Sequence, residues 1–332
     1  MKYRTFGRMG WRVSDIGFGA WAIGGDRWGP QKDEESIAAL RHALDLGVTV
    51  VDTAQGYGDG HSERLIGRVL SERGQRIGGG PVRVLTKIPP QPGSWPASPY
   101  DTCTERYPDA YLRQRVERSL GDLKAEAIDV VLLHLWSRSW NGDPAPLLTL
   151  RALQKEGKIL ATGISNSEFD ENAVNSPMRE GLVDAVETVY NIFDQNPAAE
   201  FLPTAIESRV AVIARSPLDE GALTGKLTAE TIFVEGDVRR SYFHGDRLEK
   251  TVSRVEALRK EIEKEGKGTE ADMTSVALRF ILRSPAVTTT IPGMRSVRQV
   301  EQNAAASDRA PLGEGLYTAL KKHFWYRNFW LD

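Results

Sequence analysis

Three observations in this sequence predict an α/β fold closed as a (β/α)8 TIM barrel. Short, almost wholly apolar runs alternate with helix-patterned segments along most of the chain. Counting the run IGFG, they make eight strand-and-helix units, and the strands are apolar on both faces, as parallel strands covered on both sides must be. Two of the three stretches that break the rhythm follow strand ends, on the barrel face where sites are built. One barrel domain is expected over 1–332, with an N-terminal β-hairpin in 1–15 and a C-terminal tail over 311–332.

The hairpin comes from Tyr3 to Phe6 and Arg12 to Ser14 around the turn GRMG. The text IGFGAWA then fits a G-x-G-x-x-A pattern. That pattern marks a dinucleotide-binding turn only if a helix opens on it, and here WAIGGDRWGPQ reads as loop until about Asp33. From there ESIAALRHALDLG precedes VTVVD, ERLIGRVLSERG precedes VRVLTK, and YLRQRVERSLGDL precedes IDVVLLH. LLTLRALQKEG precedes ILATGIS, EFDENAVNSPMREG precedes VDAVETV, PAAEFLPTAIESR precedes VAVIA, and SVALRFILRS precedes AVTTTI. The interruptions are IPPQPGSWPASPYDTCTERYPDA after the third barrel strand, LDEGALTGKLTAETIFVEGDVRRSYFHGDR after the seventh, and the tail. The units are too dissimilar for a solenoid repeat.

Composition excludes several classes of partner. The 332 residues carry 43 Lys and Arg against 45 Asp and Glu, a net charge of −2 that offers no field for nucleic acid or an anionic membrane. No window approaches a membrane span. The single cysteine, Cys103, forms no intramolecular disulfide, and the N-terminus lacks the apolar stretch of a signal peptide, so cytoplasmic residence is expected. Cys103 has no His beside it in sequence and reads as a spare residue.

The strand ends carry the chemistry. Asp52 ends the second barrel strand, Lys87 the third and His134 the fourth, with Ser165 and Asn166 after the fifth and Tyr57 on the loop beyond Asp52. Singly, each is a rim group, a turn cap or a loop anchor. At successive strand ends of one barrel they converge. A phenol titrates near ~10, and a neighbouring ammonium lowers that value by favouring the phenolate. Lys87 is expected to do this to Tyr57. Asp52 supplies the counter-charge that a buried lysine needs, and His134 orients and polarises the carbonyl that Tyr57 protonates.

Beyond this quartet, D-x-x-x-x-Y-G followed by SER-x-x-G-x-x-L at 52–70, RSLGDLKAEAIDVVLLH at 118–134, GISN at 163–166, VYNIFDQ at 189–195, SPL with GALTGK at 216–226 and IPGMRSVRQVEQN at 291–303 give a specific combination. It resembles the aldo-keto reductase family from the hairpin to about Asn303. The resemblance implies NAD(P)H-dependent reduction of an aldehyde or ketone, with Tyr57 as general acid assisted by Asp52, Lys87 and His134. It also implies a cofactor site without a Rossmann fold. Ser165 and Asn166 hold the nicotinamide carboxamide, and Gly19, Trp21 and Asp52 lie against the cofactor. Ser216, Pro217, Leu218, Gly221, Gly225 and Lys226 wrap the pyrophosphate. Gly293, Arg295, Arg298, Gln299 and Asn303 meet the adenosine end, where an arginine suits a 2′-phosphate, so NADPH is expected over NADH.

Two positions depart from many relatives. Glu187 stands where Gln is common, and a carboxylate accepts from the carboxamide NH2 but cannot donate to its oxygen. Arg215 stands where a stacking Tyr is common, and a guanidinium plane also stacks. Among the aromatics of the irregular segments, which include Trp28, Trp95 and Trp140, Trp21 and Trp136 are chosen as substrate wall. The tail HFWYRNFWLD packs on the barrel, closes the pocket or forms a homo-oligomer contact. The alternative function is a cofactor-sensing regulatory subunit, against which stand the intact quartet and the absence of a long N-terminal extension. A metal-dependent sugar isomerase needs clustered His and carboxylate ligands, whereas only His134 of five histidines lies at a strand end.

Overall fold

Alternation of side chains at period two decides what each strand shows to the barrel axis. The structure, a computed structural model, describes residues 1–25, 27–167, 169–265, 272–327 and 329. A hairpin of β1 (Tyr3–Phe6) and β2 (Trp11–Ser14) comes first, paired from Tyr3 against Ser14 to Phe6 against Trp11. The barrel strands follow: β3 (Phe18–Gly19), β4 (Val50–Asp52), β5 (Arg83–Ile88), β6 (Ile128–Leu133), β7 (Ile159–Ser165), β8 (Ala185–Val189), β9 (Ala211–Arg215) and β10 (Val287–Thr290). They form one eight-stranded parallel sheet in sequential order. Parallel bridges from Ile16 to Thr290 and from Gly19 to Gly293 join its first and last strands and close the barrel.

Val50, Leu85, Val130, Leu132, Ala161, Ala185, Ala211 and Ile213 fill the interior, together with Phe6 and Val13 of the hairpin, which plugs the N-terminal mouth. Their neighbours Val51, Val84, Val131, Ile164, Val186 and Val212 face outward into the layer under the helices. Gly7 is forced by the plug. Its φ is +45°, and a Cβ there would stand 2.6 Å from the Ala211 nitrogen.

The covering helices include α1 (Asp33–Asp45), α2 (His61–Glu72), α3 (Cys103–Arg106), α4 (Asp109–Leu123), α5 (Ala145–Lys155), α6 (Asn175–Arg179), α7 (Phe201–Glu207), α8 (Arg239–Tyr242), α9 (Arg247–Glu265), α10 (Met273–Leu282), α11 (Val297–Asp308) and α12 (Glu314–Lys321). The hairpin, the start at Asp33 and the loops after β5 and β9 agree with the sequence reading. Gly19 is followed by a 3-10 turn over Trp21–Gly24 and not by a helix, which removes the Rossmann alternative.

Four of the described helices were not expected, among them the one-turn α3 and α8 inside the loops after β5 and β9. α9 lies where no element was assigned, and α12 lies inside the supposed irregular tail. The expected helices over 168–181 and 197–209 shrink to the short α6 and α7, each preceded by a 3-10 turn. Glu168, Asn328 and 330–332, which fall in the sequence-predicted helix over 168–181 and in the aromatic tail, lie outside the described residues. No described helix is long and apolar enough to cross a membrane.

Candidate active site at the C-terminal end of the barrel

The period-two alternation that buries Val50, Leu85, Leu132, Ala161, Ala185 and Ile213 also aims Asp52, Lys87, His134, Ser165, Glu187 and Arg215 inward, two residues or a multiple of two further along. Register carries them to one level. Asp52 pairs with Leu85, Lys87 with Leu132, and Ser165 with Glu187 on adjoining strands.

Lys87 is the centre of the cluster. Its side chain is fully buried, and Nζ donates to both carboxylate oxygens of Asp52 at 2.7 Å, to the Thr53 carbonyl at 3.0 Å and to the Tyr57 hydroxyl at 3.3 Å. A second carboxylate, Glu187, places Oε2 3.3 Å from the same nitrogen. That contact is electrostatic only, because Glu187 Oε2 is buried without a hydrogen-bond partner. Sequence reasoning assigned Glu187 to the cofactor and missed it as a neighbour of Lys87. The parity of β8 was the signal that placed it inside.

Electrostatics correct one expectation. Burial pushes the Tyr57 phenol up, and the pull of Lys87 does not overcome burial together with the charges of Asp52 and Glu187. Tyr57 is therefore a firmly protonated phenol and not one with a lowered pKa. Burial alone would push Lys87 down, yet Asp52, Glu187 and Tyr57 together hold it above its ordinary value. The Asp52 carboxyl is driven well above the carboxylate range by burial and then by Glu187, against the opposing pull of Lys87. His134 is pushed down to about 3 by burial, Lys87 and Arg215, so its imidazole is neutral.

Tyr57 is presented by a turn of three successive positive-φ residues, two of them glycines. Gly58, Asp59 and Gly60 have φ of 63°, 48° and 83°. A Cβ on Gly58 would lie 2.1 Å from the Gly24 carbonyl oxygen, and one on Gly24 would lie 2.8 Å from the Tyr57 carbonyl carbon. This close backbone approach stacks the Trp21 ring on Tyr57 at 5.9 Å between centroids. α2 is anchored beneath the turn. Ser62 bonds Thr53 and the Ala20 carbonyl, and Glu63 accepts from Thr86 at 2.6 Å.

On the other side the Trp95 ring meets His134 edge-on at 5.8 Å. Trp136, the other residue chosen for the substrate wall, is buried elsewhere. It packs edge-on against Trp140 and donates from Nε1 to Asn141. Its position two residues past His134 was misleading because the His134 N–H still bonds the Ile88 carbonyl, whereas beyond it the chain leaves the sheet and the side-chain parity no longer holds. Cys103 donates to the Asp143 carbonyl, and burial pushes its thiol up to about 11, which suits the inert reading.

Several residues expected at the cofactor are engaged in other ways. Asn166 donates to the Glu171 and Asp170 carbonyls and accepts from the Ser167 N–H, so both ends of its amide shape the turn after β7. Arg295 donates from Nε to Gln31 and from its two terminal nitrogens to the carbonyls of Trp28 and Pro30, binding that loop. Gln299 accepts from the Arg295 N–H, and Asn303 donates to the Gly293 carbonyl at 3.4 Å. Arg215 donates to the Asn166 carbonyl.

Other positions stay available. Ser165 lies beside Glu187 in the pocket, and Arg298 is exposed without an ion pair among the described residues. Lys226, in the loop after β9, is exposed with Nζ 3.5 Å from Gln302 of α11. In the stretch after β9, Ser216, Asp219 and Glu220 join Gly221 and Gly225 at positive φ, with Pro217 buried and Leu218 half-buried between them. Among the described residues no cluster of three His, Cys, Asp or Glu side chains is placed to hold a metal ion.

A profile of the Aldo/keto reductase family matches residues 15–323. The chain belongs to the aldo/keto reductase family. It is 31% identical over 308 residues to the aldo-keto reductase YhdN of Bacillus subtilis, covering 91% of this chain and 87% of that one. It is 27% identical over 327 residues to the NADH-specific methylglyoxal reductase of Escherichia coli, covering 92% and 93%. Among solved structures, a glycerol dehydrogenase from Gluconobacter oxydans superposes with a TM-score of 0.73 at 26% identity, over 94% of this chain and 92% of that one. The holo form of an aldo-keto reductase from Bacillus halodurans superposes at 0.75 over 99% of both chains, and its 23% identity speaks for the fold.

As an aldo/keto reductase, the protein is an oxidoreductase of a class that uses nicotinamide cofactors on small carbonyl substrates. The residues present fit such a group. Glu187 Oε2 is a buried acceptor without a hydrogen-bond partner in the pocket, the ideal Cβ position at Gly293 meets nothing within 4 Å, and Arg298 is an exposed cation on α11.

Proposed function

We propose that this protein is an NADPH-dependent reductase of aldehydes or ketones in which Tyr57 is the general acid. The observation that carries the reading is the contact of Lys87 Nζ with both Asp52 oxygens and the Tyr57 hydroxyl, inside a barrel mouth that Trp21 and Trp95 wall.

A bound reduced nicotinamide supplies the hydride that reaches the carbonyl carbon. Tyr57, kept protonated by burial, gives its proton to the carbonyl oxygen as charge builds there, because an alkoxide is the stronger base. Lys87 stabilises the tyrosinate left behind, and it is already charged and in place, so little reorganisation is needed. Asp52 keeps Lys87 charged in an apolar setting. His134, neutral down to about pH 3, serves as a hydrogen-bond donor to the substrate oxygen and not as a proton source. Trp21 and Trp95 shield the reacting atoms from water, which strengthens each of these interactions.

On the cofactor side, Ser165 is the side chain best placed for the carboxamide, and the glycine-containing turn 216–226 for the pyrophosphate. Arg298 and Lys226 are the cations for a 2′-phosphate, and they favour NADPH over NADH. Gln299, Asn303 and Arg295 support that end through the loop contacts they make. The test is consumption of NADPH, followed by its near-ultraviolet absorbance, with a panel of aldehydes and ketones. The native protein should turn over, and Tyr57→Phe should lower kcat by about 10^2 to 10^4 with cofactor Kd nearly unchanged. A native protein inert across the panel, or a Phe variant with native kcat, contradicts the reading.

A further inference from the structure

Lys87 faces two buried carboxylates, and one ammonium cannot neutralise both. Asp52 Oδ1 and Oδ2 and Glu187 Oε2 stand 2.7, 2.7 and 3.3 Å from Nζ, with both carboxyl side chains almost wholly buried. The other titratable groups facing this trio do not remove the surplus. Tyr57 is a neutral phenol, His134 a neutral imidazole, and the Arg215 guanidinium, at the end of β9, is directed to the Asn166 carbonyl. Two like charges this close and this dry do not both ionise readily, and the position of Asp52, raised above its usual range with Glu187 among the causes, agrees. Glu187 Oε2 meanwhile has no hydrogen-bond partner, although it lies beside Ser165 at the pocket wall.

We propose that Asp52 and Glu187 share one proton above Lys87 and that the site gives up this proton when it receives the cationic ring of an oxidised nicotinamide, so that Glu187 biases the pocket toward the oxidised cofactor. This rests on the functional reading above, which puts the nicotinamide carboxamide at Ser165, the cross-strand neighbour of Glu187. The charges balance. With the reduced, neutral ring the trio keeps its proton and is neutral; with the oxidised ring the proton leaves to solvent, and the second carboxylate offsets the ring's positive charge. A Gln at 187 would hold neither the surplus charge nor the proton. Glu187 is thus a positioning residue for charge, acting through the ring it faces and through Lys87.

Isothermal titration of the native protein with NADP+ and, separately, with NADPH, each in two buffers of different ionisation enthalpy near neutral pH, counts the protons released. The 2′-phosphate is common to both ligands and cancels in the difference. NADP+ should release about one proton more per site than NADPH, and its affinity should rise with pH by up to about tenfold per unit while that of NADPH does not. In Glu187→Gln the difference in proton release should vanish, and NADP+ should weaken relative to NADPH by about tenfold or more. Equal proton release for the two ligands in the native protein overturns the proposal and leaves the reductase reading intact. Binding of neither ligand overturns both. The native comparison decides the matter even if the Gln variant does not fold.

Discussion

Lys87 shows how much a single residue asks of its surroundings. A fully buried ammonium is tolerated because Asp52, the Thr53 carbonyl and the Tyr57 hydroxyl take its donors, and removing one partner would strand a charge. His134 shows the converse, an imidazole kept neutral by a dry setting near cations. Its titration has a consequence for stability. Folded His134 takes up a proton only near pH 3, whereas an unfolded histidine does so near ~6.5. Its contribution is therefore fully present above about pH 6.5 and is lost as pH falls from there toward 3. The native protein should lose several degrees of Tm more than His134→Gln between about pH 7 and about pH 5, read by calorimetry. Parallel losses in the two proteins would contradict the buried, neutral imidazole. Asp52, Lys87, Tyr57 and His134 were legible as a group because ionisable residues ending apolar strands are hard to explain by packing. The direction of the Tyr57 shift was not legible, since it depends on burial and on Glu187, neither of which adjacency in sequence reveals.

At the scale of the element, the unit from β4 to α2 holds Tyr57 by backbone contact more than by side chains. Gly58→Ala places a methyl 2.1 Å from the Gly24 carbonyl oxygen at a φ of 63°, so the turn must open. We expect a loss of about 2–4 kcal/mol in denaturant unfolding and a fall in kcat exceeding the change in KM, because Tyr57 moves from Lys87 and Trp21. Native stability with native kcat would show that the turn is not what aims Tyr57. Strand parity was readable here, and it predicts which side chains face inward as far as each strand runs. It fails beyond His134, where Trp136 turns into the core and the Trp95 ring from the loop after β5 lies edge-on to His134. α9 was missed although Thr251, Val255, Leu258 and Ile262 make a buried stripe at helical spacing, because its highly charged remainder and the Gly-containing loop before it read as irregular.

Over the whole molecule, the barrel sets the stage and the long loops and tail furnish it. The tail packs onto the barrel. The Trp325 N–H donates to the Phe193 carbonyl, Arg327 pairs with Asp194 and Asp219, and the Phe329 carbonyl accepts from Arg247. Asp219 belongs to the positive-φ turn after β9, and it also accepts from the Tyr242 hydroxyl at 2.7 Å. Chain segments far apart in sequence thus brace the turn proposed to hold the pyrophosphate, around a small cavity of about 40 Å3 that reaches Ser216. Such bracing was illegible in sequence, because an arginine in an aromatic tail names no partner until the fold supplies one. The same holds for Arg295, whose guanidinium ties Trp28, Pro30 and Gln31 to the segment before α11.

If the pocket moves a hydride to a carbonyl carbon while Tyr57 supplies the proton to its oxygen, the two hydrogens of the product have separate, traceable origins. Reaction of an aldehyde with NADPH carrying deuterium at the transferable position of the dihydronicotinamide, in ordinary water, tests it most directly. The native protein should place deuterium on the alcohol carbon of the product, and Tyr57→Phe should give almost no product. An alcohol whose carbon carries only solvent hydrogen, or labelled product formed at the native rate without the Tyr57 hydroxyl, would contradict it.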